Sequence, residues 1–220
     1  LHNCGVTTGG AAYCWGYNWN GLLGDGTSGS RNVPTAVVGG LTFQALTVAF
    51  GHTCGLTGGG AAYCWGSNGY GQLGNGNGGG STATPSLVTG GRTFTALAVG
   101  SGHSCGRTSS GSAFCWGLDD QGQLGSPAAP FSLTPIAVGG GQSFLSVTTG
   151  EEYACGLTGS GVAYCWGSNG MGQLGDGLGT YRSLPGAVAG GQTFQSVVAG
   201  PDHACGLTAA GAAYCWGNGA

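Results

Sequence analysis

The stretch Cys54-Gly-Leu-Thr-Gly-Gly-Gly-Ala-Ala-Tyr-Cys64-Trp65-Gly66 decides the fold, because the chain repeats it in recognisable form five times. Successive copies are 50, 51, 50 and 50 residues apart, and nine residues separate the two cysteines in every copy. A period this constant predicts an array of similar structural units. The cysteine pairs are Cys4 and Cys14, Cys54 and Cys64, Cys105 and Cys115, Cys155 and Cys165, and Cys205 and Cys215.

Each copy is typical of a β-hairpin, in which two short strands flank a glycine-rich turn. If the turn centres on residue 59, position 57 faces 61 and Cys54 faces Cys64, within the Cα separation that a disulfide needs. We therefore expect five disulfides, one inside each hairpin. Zinc binding and free buried thiols remain as alternatives, but zinc sites favour closely spaced cysteines. Disulfides persist in oxidising compartments, which favours an extracytoplasmic protein.

The composition excludes several classes of function. The 220 residues carry a net charge of −3, only 5% of them are charged, and the basic residues are four widely separated arginines with no lysine. This pattern argues against nucleic acid and against anionic membrane surfaces as partners. No apolar run is long enough to cross a membrane. The chain begins at Leu1 and shows no signal peptide, so we expect a removed leader or a fragment.

The rest of each period predicts more strands and no helix. In the second repeat, residues 42–49 form a strand that Phe43 begins, and the hairpin ends at Trp65. A tight turn, Ser67 to Gly74, then places Leu73 inward, and a variable loop leads to Pro85 and a last short strand. Four short strands per 50 residues predict an all-β fold, a β-propeller whose blades pack through their Phe and Trp side chains.

The order Gly-x-x-His-x-Cys-Gly-Leu-Thr, followed by Ala-Tyr-Cys-Trp-Gly-x-Asn-x-x-Gly-Gln-Leu-Gly, resembles the repeat of the regulator of chromosome condensation family. The resemblance covers essentially the whole chain and implies a propeller, usually of seven blades, that mostly binds other proteins. The paired cysteines look like a secreted bacterial variety of the repeat. Nucleotide exchange on a nuclear GTPase, the family's better-known role, does not suit an oxidising compartment.

We expect one propeller domain over 1–220, with repeats at about 1–49, 50–100, 101–150 and 151–200 and a partial repeat at 201–220. The chain holds five hairpins but only four of the segments that link them. A seven-bladed ring would need many more residues at this period. A partial ring, or a fragment of a longer propeller, is therefore expected.

The recurring histidine position invites a metal-binding interpretation, which we disfavour. A histidine at the same place in each blade more often bonds a neighbouring backbone, and a tyrosine fills the position once. The loops lack the several carboxylates that calcium needs. We therefore expect no metal and no cofactor. The residues at this position are His2, His52, His103, Tyr153 and His203.

No nucleophile elbow, phosphate-binding loop or dinucleotide motif is present, so the sequence argues against an enzyme. What varies between repeats is a set of aromatic, acidic, Met and Arg residues on glycine-rich loops, of the kind that protein interfaces enrich. These candidate partner-binding residues are Trp19, Phe50, Tyr70, Asp119, Asp120, Phe131, Glu151, Glu152, Met171, Tyr181 and Arg182.

Two functional hypotheses follow. The first is a non-catalytic extracytoplasmic scaffold that binds other protein subunits, as part of a larger surface or membrane-associated assembly on which it docks without spanning the membrane. The second is a secreted carbohydrate-binding module or glycan-acting enzyme that uses carboxylates such as Glu151, Glu152 and Asp202.

Overall fold

The computed structural model describes residues 2–127 and 130–219 as an array of antiparallel sheets. Its strands are β1 His2–Val6, β2 Ala12–Gly16, β3 Arg31–Ala36, β4 Phe43–Val48, β5 His52–Thr57, β6 Ala62–Ser67, β7 Ser81–Leu87, β8 Phe94–Val99, β9 His103–Thr108, β10 Ala113–Leu118, β11 Phe131–Ala137, β12 Phe144–Thr149, β13 Tyr153–Thr158, β14 Ala163–Gly167, β15 Arg182–Ala187, β16 Ser196–Ala199, β17 His203–Leu207 and β18 Ala213–Gly217. A 3-10 turn spans Trp19–Gly21.

The strands form five sheets, which we call blades 1 to 5. Blade 1 is β1 to β3, blades 2, 3 and 4 are β4 to β7, β8 to β11 and β12 to β15, and blade 5 is β16 to β18. Neighbours in each sheet are consecutive in sequence, so every blade is an up-and-down meander. The first strands of blades 2 to 5, β4, β8, β12 and β16, each contact the next and line the axis of the array. The predicted all-β propeller of disulfide-stapled blades is confirmed.

The predicted hairpin register is also confirmed. Cys54 lies opposite Cys64, and Leu56 lies opposite Ala62. All ten cysteines are paired within their hairpins, with a Cα separation of 4.1 Å in each pair. Each bridge therefore joins two neighbouring strands of one blade.

The core lies between blades rather than inside one blade. Trp65 of blade 2 is fully buried in a cluster with Ala12, Cys14 and Leu23 of blade 1, and Phe43 packs on it with ring centroids 5.9 Å apart. The same arrangement recurs around Trp116 and Trp166. Because a single sheet has no second layer of its own, each blade buries its face only against its neighbours.

Burial falls at the two ends of the array. Trp15 of blade 1 is partly exposed, whereas Trp65, Trp116 and Trp166 are completely buried. Strand β18 is exposed or half-buried throughout, whereas the matching strand β14 is mostly buried. Within residues 2–127 and 130–219, the outer faces of blades 1 and 5 are therefore less covered than those of the blades between them.

Candidate functional site

The strand register brings most of the variable loops to one face. His52 lies opposite Gly66, so the loop before β5 and the turn after β6 emerge at the same end of the blade. The last strand of a blade also begins at this end, since Thr82 lies opposite Gly66. We call this end the top face. It carries the loops at 50, 101, 151 and 201, the turns after each Trp-Gly, and the starts of β3, β7, β11 and β15.

Below the top face, each blade is fixed to the next by a tryptophan. The Nε1 of Trp65 donates a hydrogen bond of 2.9 Å to the carbonyl of Leu22 in the preceding blade. Trp116 and Trp166 make the same bond to Gln72 and Gln123. A polar atom of a buried ring needs such a partner, so the bond sets how successive blades meet.

A histidine reaches across the same junction in the opposite direction. His2 Nε2 lies 2.7 Å from the hydroxyl of Thr53 in the next blade, and that hydroxyl donates to the carbonyl of Leu22 at 3.0 Å. His52, Ser104 and Gln72 repeat the arrangement. Because the one hydroxyl proton goes to the carbonyl, the histidine Nε2 must carry a proton and donate.

Burial keeps these imidazoles neutral. It lowers the pKa of His2 to about 4, of His52 to about 3 and of His103 to about 4. The sequence suggested backbone partners for these histidines, but His2 and His52 bond hydroxyl groups instead. The position equivalent to Thr53 and Ser104 in the next blade is Ala154, which has no hydroxyl, and both ring nitrogens of His103 lack a partner among the described residues. Tyr153 does meet the backbone, at the carbonyls of Gly200 and His203.

In blades 1, 2 and 4 an asparagine organises the loop on the top face. Asn18 accepts a hydrogen bond from the amide of Leu23 and donates from Nδ2 to the carbonyls of Thr27 and Gly29. Asn169 does the same in blade 4, and in blade 2 Asn68 accepts from the amide of Leu73 and donates to the carbonyl of Asn77. An amide suits this position because it offers both an acceptor and donors.

In blade 3 this position is held by Asp119, which the sequence placed among the candidate partner-binding residues. Its side chain is buried, 8% exposed, and accepts a bond of 2.8 Å from the amide of Leu124. Burial raises the pKa of Asp119 to about 6, with a smaller contribution from the charge of Asp120. The carboxyl is thus part of the loop's internal structure and is not presented on the top face.

Arg182, another sequence candidate, is bound within its own loop. Its Nε donates to Asp176 at 2.7 Å, and Arg31 pairs with Asp25 at 2.8 Å in the same way in blade 1. Burial alone would raise the pKa of both carboxyls. Their hydrogen bonds and the arginine charges outweigh that effect, so both values are lowered.

The remaining aromatic and Met candidates all project from the top face. Their side chains are 49 to 70% exposed. Soluble monomers rarely expose large apolar side chains grouped on one surface. They span blades 1 to 4. These residues are Trp19, Phe50, Tyr70, Phe131, Met171 and Tyr181.

The acidic candidates occupy the top face of blades 3 to 5. Asp120, Glu151 and Glu152 are exposed, and Asp202 of blade 5 is partly exposed. Burial, followed by the charges of Asp120, Glu151 and Asp202, raises the pKa of Glu152. Across residues 2–127 and 130–219, no group of three acidic, histidine or cysteine side chains is close enough to hold a metal ion.

Models of a known repeat family match this chain. One model of the regulator of chromosome condensation (RCC1) repeat matches residues 59–106, and a second matches 94–123, 144–173 and 194–220. Together these matches span more than half of the chain. The chain belongs to the RCC1 repeat family. No curated protein matches it significantly.

Solved RCC1 structures and other propellers share the fold. Human WBSCR16 is 21% identical with a TM-score of 0.87, and the match covers 98% of this chain and 59% of that one. Yeast RCC1 (Prp20), solved with bound Kap60, is 19% identical with a TM-score of 0.81, covering 91% and 50%. The receptor kinase CR4 ectodomain of Physcomitrella patens is 23% identical with a TM-score of 0.64, covering 98% and 49%.

The chain therefore spans between about half and three fifths of the proteins it resembles. At these identities the likeness concerns the fold alone. Within the described residues, no helix is long and apolar enough to cross a membrane.

Two features of these RCC1 repeats were not predicted from the sequence. The Asp25–Arg31 and Asp176–Arg182 pairs recur six residues apart, while the equivalent positions in blade 2 are Asn75 and Ser81. This joint change between repeats was a usable signal. The hydroxyls of Thr53 and Ser104 gave no such signal, because the same position holds alanine in blades 4 and 5.

Proposed function

We propose that this protein is a non-catalytic, extracytoplasmic scaffold that binds a partner protein through the top face. The observation that supports it most is the contrast within each repeat. The residues that recur are buried in the junctions, whereas the aromatic residues that differ between blades are exposed on one face. Exposed aromatic and Met side chains grouped on one surface are typical of protein interfaces.

The five intra-blade disulfides support the extracytoplasmic setting, because cysteine thiols are kept reduced in the cytosol and rarely form disulfides there. The propeller fold also occurs in a receptor-kinase ectodomain. Among the relatives, yeast RCC1 binds Kap60, and its binding to Gsp1p and histones has been characterised. We therefore expect this chain to use its propeller for protein binding as well, with a different partner.

We further propose that 1–220 acts as one domain, with the repeat boundaries expected above. The support is the continuous series of junctions, in which each blade receives the tryptophan of the next. As a subunit of a larger surface or membrane-associated assembly, such a domain would present the top face outward.

The test is capture of a partner from the native source, using the oxidised chain with a photo-reactive residue placed beside Tyr70. Amine cross-linkers are unsuitable because the chain has no lysine. We expect the triple variant Trp19→Ala, Tyr70→Ala, Met171→Ala to lose the cross-linked partner. Such anchors contribute about 1–4 kcal/mol each when they are interface hot spots.

The matched control is Leu145→Ala. Leu145 is 61% exposed on β12 next to Phe144, at the end of the blade away from the top face. Equal capture by wild type and the triple variant would exclude the top face as the binding surface. Retention of a purified glycan, with no captured protein, would favour the carbohydrate hypothesis instead.

A further inference from the structure

The unpaired negative charge of the chain is concentrated in one place. The sequence has seven acidic residues. Asp25 and Asp176 are paired with arginines, and Asp119 is buried. The other four are all on the top face of blades 3 to 5. They are Asp120, Glu151, Glu152 and Asp202.

The four arginines are engaged elsewhere and cannot neutralise this region. Arg31 and Arg182 form the two ion pairs. The Arg92 guanidinium lies 4.2 Å from the centre of the Phe114 ring, and Arg107 donates to the carbonyl of Phe144. Across 2–127 and 130–219, the four top-face carboxylates therefore have no cationic partner.

Beside Glu151, one of these four carboxylates, lies an apolar depression at the top of the axis. Its volume is about 230 Å³. Four blades line it, and backbone hydrogen bonds join their loops, from the Ser101 amide to Glu151 at 3.0 Å and from the Glu151 amide to Pro201 at 3.1 Å. The apolar lining comes from Ala49, Phe50, Val99, Ala199 and Pro201.

Phe50 and Glu151 lie on the wall of the same depression, so its apolar and acidic sides are continuous. Phe50 is 70% exposed, the largest exposed fraction among the large apolar side chains of the described residues. An occupant that satisfies both sides needs an apolar group to cover Phe50 and positive charge to face the carboxylates.

We propose that this axial depression binds a basic segment of a partner protein, with one apolar side chain seated against Phe50 and arginine or lysine side chains against the four carboxylates. The proposal rests on the protein-binding function proposed above and specifies the chemistry of the partner. Among residues 2–127 and 130–219 these carboxylates form no group of three that could hold one metal ion, so the proposal assigns them separate basic side chains of the partner.

The experiment measures binding of three labelled synthetic peptides to the oxidised full chain. The first is Gly-Arg-Arg-Leu-Arg-Arg-Gly, the second replaces its Leu by Gly, and the third replaces its four Arg by Glu. The protein variants are Phe50→Ala and the quadruple variant Asp120→Asn, Glu151→Gln, Glu152→Gln, Asp202→Asn. Leu145→Ala is the control, and circular dichroism checks that every variant is folded.

We expect the Arg-Leu peptide to bind best and the Glu peptide not to bind. The quadruple variant should weaken binding by at least about tenfold, and salt near 0.5 M should weaken wild-type binding strongly. Phe50→Ala should weaken the Arg-Leu peptide severalfold but leave the Arg-Gly peptide unchanged. The control should match wild type.

The inference is overturned if the Arg-Leu peptide fails to bind, if the quadruple variant binds it as well as wild type, or if the Leu and Gly peptides bind equally. These outcomes are separable from failure of the proposed function. If the captured partner is lost in the Trp19, Tyr70, Met171 variant but retained by the quadruple variant, protein binding by the top face stands and the basic segment does not.

Discussion

The buried carboxyl of Asp119 stands where blades 1, 2 and 4 carry an asparagine. A carboxylate can accept the Leu124 amide as the asparagines accept theirs, but when ionised it has no proton to donate to loop carbonyls. Its raised pKa records the cost of holding that charge away from water.

We therefore predict that Asp119→Asn stabilises the protein at pH 7, by about 1–3 kcal/mol. Between the ordinary value of 3.8 and the folded value of about 6, the native state binds more protons than the unfolded state. The contribution of Asp119 is thus most favourable below pH 4 and is lost as the pH rises through 6. Urea unfolding of both proteins from pH 4 to 7 checks this, and a pH-independent difference would contradict it.

The hydroxyl at each junction gives a reciprocal pair of predictions. Ser104→Ala removes the partner of His52 Nε2 and one donor to the Gln72 carbonyl. We expect a loss of about 1–3 kcal/mol, because a buried polar group is left unsatisfied. The converse change, Ala154→Ser, gives His103 the partner it lacks, and we expect a gain of up to about 1 kcal/mol.

Denaturant midpoints at pH 7, where these histidines are neutral, measure both changes. Destabilisation by both variants would show that the junction next to His103 has no room for the hydroxyl, against the prediction.

At the scale of an element, the turn after each Trp-Gly is shaped by the next blade. Gly74 has φ +65°, and a Cβ there would lie 2.6 Å from Nε1 of Trp116. Gly76, two residues on, also has a positive φ of 83° but has open space around it. The two glycines thus separate backbone strain from contact with the tryptophan.

We predict that Gly76→Ala costs about 1–2 kcal/mol, the strain of a left-handed residue with a side chain. Gly74→Ala should cost about 1–3 kcal/mol more, because Trp116 must shift. Unfolding followed by tryptophan fluorescence gives both numbers. Equal losses of unfolding free energy in the two variants would mean that Trp116 can shift without cost, against the prediction.

The strands and turns were largely predictable because the same residue pattern recurs in each repeat. Cys54 and Cys64 fixed the hairpin register, and the buried positions of Phe43, Trp65 and Leu73 followed from their recurrence. Contacts that involve two blades at once were harder to predict from the sequence. The hydroxyl of Thr53 matters only because His2 of another blade meets it.

The candidate site was predictable as a set of exposed variable residues, with two exceptions. Asp119 was predicted to bind a partner together with Asp120, but its side chain is buried. Alignment with Asn18 and Asn169 would have separated them. Arg182 was predicted to bind a partner, but it pairs with Asp176, which lies six residues before it.

At the scale of the whole molecule, the ends of the array should behave differently from its centre. Cys54, Cys64, Cys155 and Cys165 are at most 1% exposed, whereas Cys215 of blade 5 is exposed. Thiol exchange requires access to the sulfur, so burial protects the inner bridges.

We predict that limited reduction of the native protein opens Cys205–Cys215 first. Cys4–Cys14 should follow, since Cys4 is partly exposed, and the three inner bridges should open last. Alkylation at increasing times of reduction, read by peptide mass spectrometry, gives the order. Simultaneous opening of all five would show that reduction requires global unfolding.

The disulfides also determine how far the chain can be stretched. Each joins residues ten apart in one hairpin, and none joins two blades. A force applied to the two termini would therefore separate the blades without meeting a covalent stop between them. Each closed loop withholds roughly 30 Å of contour, so the fully pulled oxidised chain would be roughly 150 Å shorter than the reduced one. Under tension, the protein would extend as five short disulfide-closed loops joined by unfolded chain.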